Sequence, residues 1–245
     1  VLLLDRKRRP WCAETVGVIL LLFSLVKISG SVPFFWMVLF LPEGWRPVSL
    51  VALGYLGASF FAAEFQTAGL LTLMAQWLAR GSAEAAQYGY GHLPLFCAAL
   101  GVEQWILPLS LALLAGLGLW TYRHRNADRW LLLGVAGVVA RLWIYHRLYD
   151  DVLILFPMVA LFRLAKQRRK KDSSDVKAGL LLAATLFAGL TPTRLHYAWP
   201  HPWPLLFTVE HVIVWAGTLT FLLVRAASDE PAGGLVVNPT ERCDG

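Results

Sequence analysis

The chain has 245 residues, 57% of them hydrophobic and only 16% charged, with a net charge of +6 and a mean hydropathy of +0.56. Soluble domains carry roughly 25% charged residues, so this composition excludes a single water-soluble domain, a disordered chain and a collagen-like one. A polytopic membrane protein remains. Its spans must be helices or a closed barrel, since lipid cannot satisfy free backbone groups. The apolar runs are long and do not alternate, which selects an all-α fold.

Cys12, Cys97 and Cys243 are far apart and form no C-x-x-C pair, so neither a disulfide framework nor a zinc site is indicated. The positive charge is read as basic residues collected in cytoplasmic loops, with no nucleic-acid partner.

The run Val1–Leu4 stops at Asp5-Arg6-Lys7-Arg8-Arg9. It reads as the last turn of a span that begins upstream, so an N-terminally truncated chain is expected, without a signal peptide. Eight spans follow: 11–28, 31–41, 48–65, 104–120, 130–145, 152–166, 178–191 and 205–225. Several are shorter than the roughly 20 residues a straight span needs. The membrane domain is expected to cover 1–226, and 227–245, with Pro231, Gly233, Gly234 and Pro239, a loose cytoplasmic tail.

The first two spans, joined near Gly30 and Pro33, read as a hairpin rather than one kinked helix. Only the hairpin puts Arg6–Arg9, Arg123/Arg125/Arg129 and Lys166–Lys171 on one side. Seventeen of the 22 Lys and Arg then lie inside, and Lys27, Arg80, Arg141, Arg147 and Arg194 lie outside, as the positive-inside rule demands of a multi-pass inner-membrane protein. Between the third and fourth spans, Leu70, Leu71, Leu73, Met74, Trp77 and Leu78 recur at helical spacing, with Thr67, Gln76 and Arg80 on other faces. This is either an amphipathic helix on the outer membrane surface or a short helix packed on the protein core.

The outer face holds the candidate chemistry. Arg141-Leu-Trp-Ile-Tyr145-His146-Arg147-Leu-Tyr149-Asp150-Asp151 closes the fifth span and opens the sixth. A cation within a span costs about 2.5–3.5 kcal/mol, so Arg141 is expected to face a cavity, a partner charge or a bound anion. With His146 and Arg147 it suits a phosphate or pyrophosphate. Asp150 and Asp151 read as helix caps or partners of Arg147, or as substrate ligands. No metal site is expected, because no outer-face spacing completes a coordination shell.

A second cluster runs Thr191-Pro192-Thr193-Arg194-Leu195-His196-Tyr197-Ala198-Trp199-Pro200-His201-Pro202-Trp203. It reads as an interfacial aromatic belt, or as a sugar or headgroup surface with Arg194 and His196 as phosphate-directed donors. Glu210 and His211 either join this pocket or form a buried pair. Lys27 is a snorkelling cation or a phosphate ligand beside the helix start that follows it. The nucleotide-binding and hydrolase motifs G-x-x-x-x-G-K-[ST], G-x-G-x-x-G, G-x-S-x-G and H-E-x-x-H are all absent from the chain.

The stretches Val26-Lys27-Ile-Ser-Gly-Ser-Val-Pro33-Phe-Phe-Trp and Tyr145-His146-Arg147-Leu-Tyr149-Asp150-Asp151-Val-Leu-Ile-Leu-Phe-Pro157 resemble the C-terminal half of glycosyltransferase family 87, in the C superfamily. The resemblance implies a membrane hexosyltransferase, mannosyltransferase-like. It would take a sugar from a polyprenyl-phosphate donor to a lipid or glycan acceptor at the periplasmic face, without a cofactor. It further implies a catalytic Asp in an outer loop upstream of Val1, so no base is assigned here. Lys27, Tyr149 and Asp150 would line the lipid-phosphate or sugar pocket. The family's Ser-Pro pattern before Tyr-Asp is replaced by Ile144-Tyr145-His146-Arg147. The alternatives are a transporter or flippase of polyprenyl-linked glycans, against which stand the lack of an internal repeat and the scarcity of mid-span acids, and a non-catalytic membrane scaffold.

Overall fold

The structure is a computed structural model, and it describes residues 10–40, 44–87, 92–143, 152–166, 173–190 and 203–229. Among these every regular element is helical. The helices are α1 (Pro10–Ser24), α2 (Ile28–Leu39), α3 (Trp45–Ala63), α4 (Leu70–Gln87), α5 (Leu93–Ala99), α6 (Ile106–Arg123), α7 (Arg129–Leu142), α8 (Leu155–Lys166), α9 (Ser173–Leu190) and α10 (Trp203–Asp229). Three stretches are long and apolar enough to cross a membrane: Trp45–Ala63, Glu103–Arg123 and Leu206–Ser228. Gly30–Leu39 and Val176–Gly189 are apolar but shorter. α7 has 14 residues and α8 has 12.

The expected hairpin joint lies a few residues early. α1 ends at Ser24, a single 3-10 turn spans Leu25–Lys27, and Ser29, Gly30, Ser31 and Pro33 all belong to α2. Pro33, the sixth residue of α2, lies inside the helix, where it removes one backbone N–H from the hydrogen-bond ladder. The last helix runs to Asp229, three residues past the expected edge of the membrane domain. Residues 230–245 lie outside the described residues.

α7 is the central helix. Its sequence RWLLLGVAGVVARL is apolar on all sides, the pattern of a helix buried all round, and from Leu131 to Leu142 only Leu133 escapes full burial. Two glycines let α8 come close. A methyl group at Gly134 would lie 2.8 Å from the Ala160 Cβ, and one at Gly137 would lie 3.0 Å from the Leu153 carbonyl oxygen. The core continues through Leu161 and Leu164 of α8, Ala178 of α9, and Trp215, Leu222 and Ala226 of α10. On the other side, the Trp36 indole of α2 covers Gly118 of α6. α1 packs against α3, with Leu22 over Gly54. α3 buries only Pro47 and Val51.

The two ends of the bundle differ. One gathers basic residues at the α6–α7 turn and the end of α8. There Asp128 caps α7, accepting from Trp130 N (2.9 Å) and Leu131 N (3.2 Å). Its second oxygen lies 3.6 Å from Arg163. Arg125 sits over the Tyr122 ring at 5.1 Å, and Tyr122 meets Phe40 at the end of α2 edge to face. The opposite end holds the candidate site.

Candidate functional site

Of the ten predicted site residues, Lys27 and Arg141 lie within the described part. Tyr145, His146, Arg147, Tyr149, Asp150, Asp151, Arg194 and His196 lie outside it. What the structure resolves is where the flanks of the two clusters go.

Arg141, in the last turn of α7, is 1% exposed. Just beyond it, Ser110 of α6 donates from Oγ to the Trp143 carbonyl oxygen at 2.7 Å, a buried contact that ties the start of α6 to the end of α7. A buried guanidinium needs an opposite charge, polar acceptors or a bound anion, because desolvating it otherwise costs several kcal/mol. Arg141 also lies within electrostatic range of His211 on α10.

His211 is likewise 1% exposed. Its Nδ1 lies 3.0 Å from the Phe207 carbonyl oxygen of its own helix. Its Nε2 lies 3.0 Å from the Ala188 carbonyl oxygen near the end of α9. The ring therefore clips the end of α9 to the start of α10, the two flanks of the 191–202 segment. A neutral imidazole has one N–H to give, whereas the imidazolium has two. Glu210 stands 3.8 Å from Nδ1, half in solvent. The expected buried Glu–His pair is thus half right, since the histidine is buried and the carboxylate is not.

Lys27 joins the same end from the 3-10 turn that precedes α2. Ser31 Oγ donates to the Lys27 carbonyl oxygen at 3.1 Å. A methyl group at Gly30 would lie 3.3 Å from Leu153, and the Phe34 and Phe156 rings meet at 5.1 Å. The Lys27 turn therefore abuts the residues that open α8, immediately after the 144–151 segment. All three sequence-predicted regions are flanked by residues that converge on one end of the bundle.

Three polar features were missed from sequence. Ser110 was hidden as one hydroxyl in an apolar run, and its only signal was its position near a span start. Deeper in the bundle, the buried hydroxyls of Thr185 (α9) and Thr218 (α10) lie 3.5 Å apart. Between His211 and Thr218, one turn along α10, the fully buried Trp215 indole N–H has no hydrogen-bond partner among the described residues. Among those residues no group of three His, Cys, Asp or Glu side chains is arranged to hold a metal ion.

Comparison of the chain with family models, with curated proteins and with solved structures returned no match. The glycosyltransferase resemblance therefore rests on the quoted motifs alone.

Proposed function

We propose that the chain belongs to a membrane glycosyltransferase that transfers a hexose, mannose by preference, from a polyprenyl-phosphate donor to a lipid or glycan acceptor at the periplasmic face of the inner membrane. The observation that carries this reading is the convergence of three flanks on one end of the bundle, where the Arg141 guanidinium is buried within electrostatic range of His211. A buried fork of N–H donors matches a phosphate monoester or diester, and a polyprenyl carrier keeps such a group at membrane depth. In this reading Arg141, His146, Arg147, Arg194 and His196 hold the donor phosphate. Tyr145, Tyr149, Asp150 and Asp151 face the sugar, and Lys27 closes the phosphate side. Phosphate stabilisation of the leaving group is the catalytic contribution assigned to this chain. No catalytic base is assigned within it.

Photocrosslinking tests the reading. The full chain in nanodiscs is exposed to a photoreactive polyprenyl-phosphate hexose. Labelling is expected in the peptides around 141–151 and 191–203, competed by polyprenyl phosphate and not by a sugar nucleotide. A charge-assisted hydrogen bond is worth about 1.5–3 kcal/mol, so Arg141→Gln should weaken labelling about 10-fold or more, and Arg141→Lys should retain part of it. Equal competition by the uncharged polyprenol, or no effect of either variant in a chain that still folds, would remove the phosphate site.

The alternative reading, a transporter or flippase, draws on the Thr185–Thr218 pair and the Trp215 N–H inside the bundle, since transporters place polar groups near the midplane. It predicts movement of a labelled lipid-linked glycan across proteoliposomes without sugar transfer.

A further inference from the structure

Helix α4 carries an apolar edge that stays exposed among the described residues. It packs against α5 and the end of α3, and Leu70 and Leu73 are half-buried. Leu71, Met74 and Trp77, spaced i, i+3 and i+6 along one edge, are 81%, 53% and 51% exposed. Thr72 and Gln76 lie on the opposite side of the helix, and both are exposed. With 18 residues, α4 is not among the helices apolar enough to cross a membrane.

We propose that α4 is an interfacial membrane helix whose Leu71–Met74–Trp77 edge lies at the boundary between lipid headgroups and acyl chains, with Thr72 and Gln76 toward water. The occupant is the bilayer itself, because the edge continues a lipid-facing surface. Phe60, Phe61 and Phe65 at the end of the membrane-length helix α3 are exposed. Only residues 64–69 separate α3 from α4, and they turn tightly, with Phe65 N donating to Ala62 O at 3.3 Å and Gln66 N to Ala63 O at 3.0 Å. The start of α4 is thus held at the level where α3 leaves the apolar layer. A one-sided apolar helix tethered there gains by burying that edge among lipids, and a tryptophan is favoured at that depth. The chain passes from α4 through α5 to the start of α6, where Ser110 bonds Trp143. The interfacial helix therefore lies at the same end of the bundle as Arg141 and His211. The inference stands without the proposed function.

Single nitroxide labels at positions 71, 72, 74, 76 and 77 test it, in the full chain with Cys12, Cys97 and Cys243 replaced by alanine, reconstituted in phosphatidylcholine vesicles. Labels at 71, 74 and 77 should collide with oxygen at least several-fold more than with a water-soluble nickel chelate. Labels at 72 and 76 should show the reverse. Chelate access at all five positions would place α4 in water and overturn the proposal. Protection of 71, 74 and 77 from both reagents would mean a protein partner covers the edge, which also overturns it. If the cysteine-free chain does not fold, a photoreactive amino acid at the same positions in the native background decides the matter. Phospholipid adducts are then expected at 71, 74 and 77 and not at 72 or 76, and adducts to protein alone would overturn the inference.

Discussion

His211 shows how a single side chain organises the candidate site. Its two ring nitrogens reach carbonyl oxygens of two different helices, and nothing in its local sequence, Val209-Glu210-His211-Val212, distinguishes it from a histidine facing lipid or solvent. Removing it takes away the buried ring N–H that one of these two carbonyls accepts, and an unsatisfied buried polar group costs about 1–3 kcal/mol. His211→Ala is expected to destabilise the detergent-solubilised chain by about 2 kcal/mol, read as a lowered unfolding midpoint in a fluorescence melt. Because the ring closes the base of the 191–202 segment, proteolysis within that segment should also accelerate in the variant. A variant as stable and as protease-resistant as the parent would mean that the clip contributes nothing. Arg141 was legible at this scale, since a cation inside an apolar run is costly wherever it points. The buried roles of Ser110 and His211 were not, because a one-chain pattern does not reveal which residues from other helices a side chain meets.

At the scale of elements, glycines separate packed helices from open ones. Gly134 and Gly137 lie where α7 and α8 nearly touch, and an added methyl would meet a side-chain carbon and a backbone oxygen at 2.8 and 3.0 Å. Neither neighbour is the end of a flexible side chain. Gly137→Ala should therefore cost about 1–3 kcal/mol, as overpacking usually does. Gly57 lies in α3 with nothing within 4 Å of an added Cβ. Gly57→Ala should be neutral or stabilising by about 0.5–1 kcal/mol, since glycine is a poor helix former. Melting both variants in the same detergent checks the contrast, and equal effects would contradict the α7–α8 crossing. The helices themselves were read from apolar runs to within a few residues, and three of them are of membrane length. The misplaced joint at Lys27 has a clear cause: Gly30 and Pro33 are strong breakers locally, yet α2 runs through both, and Pro33 inside it gives up only one backbone hydrogen bond.

For the whole molecule, the segregation of basic residues is the main organising signal. Arg123, Arg125, Arg129 and Arg163 gather at one end of the bundle, and Lys27 and Arg141 stand at the other. The positive-inside rule predicts that the basic end faces the cytoplasm. A fluorescent protein that matures only in the cytoplasm, fused after Gly245, should therefore be bright, and an alkaline phosphatase fused there should be inactive. An active phosphatase would invert the orientation and move the candidate site to the inner face.

The sequence by itself determined that this is a helical chain with membrane-length apolar helices, where those helices run, and which charges sit near their ends. Those properties follow from solvation and from the helical period, and both act locally along the chain. Only the tertiary structure decided that α7 is the buried centre, that His211 joins α9 to α10, and that the flanks of three distant segments meet at one end. Helices this uniformly apolar carry no one-dimensional mark separating the side that faces protein from the side that faces lipid. Close packing between particular surfaces, set by Gly134, Gly137 and Gly118, makes that choice.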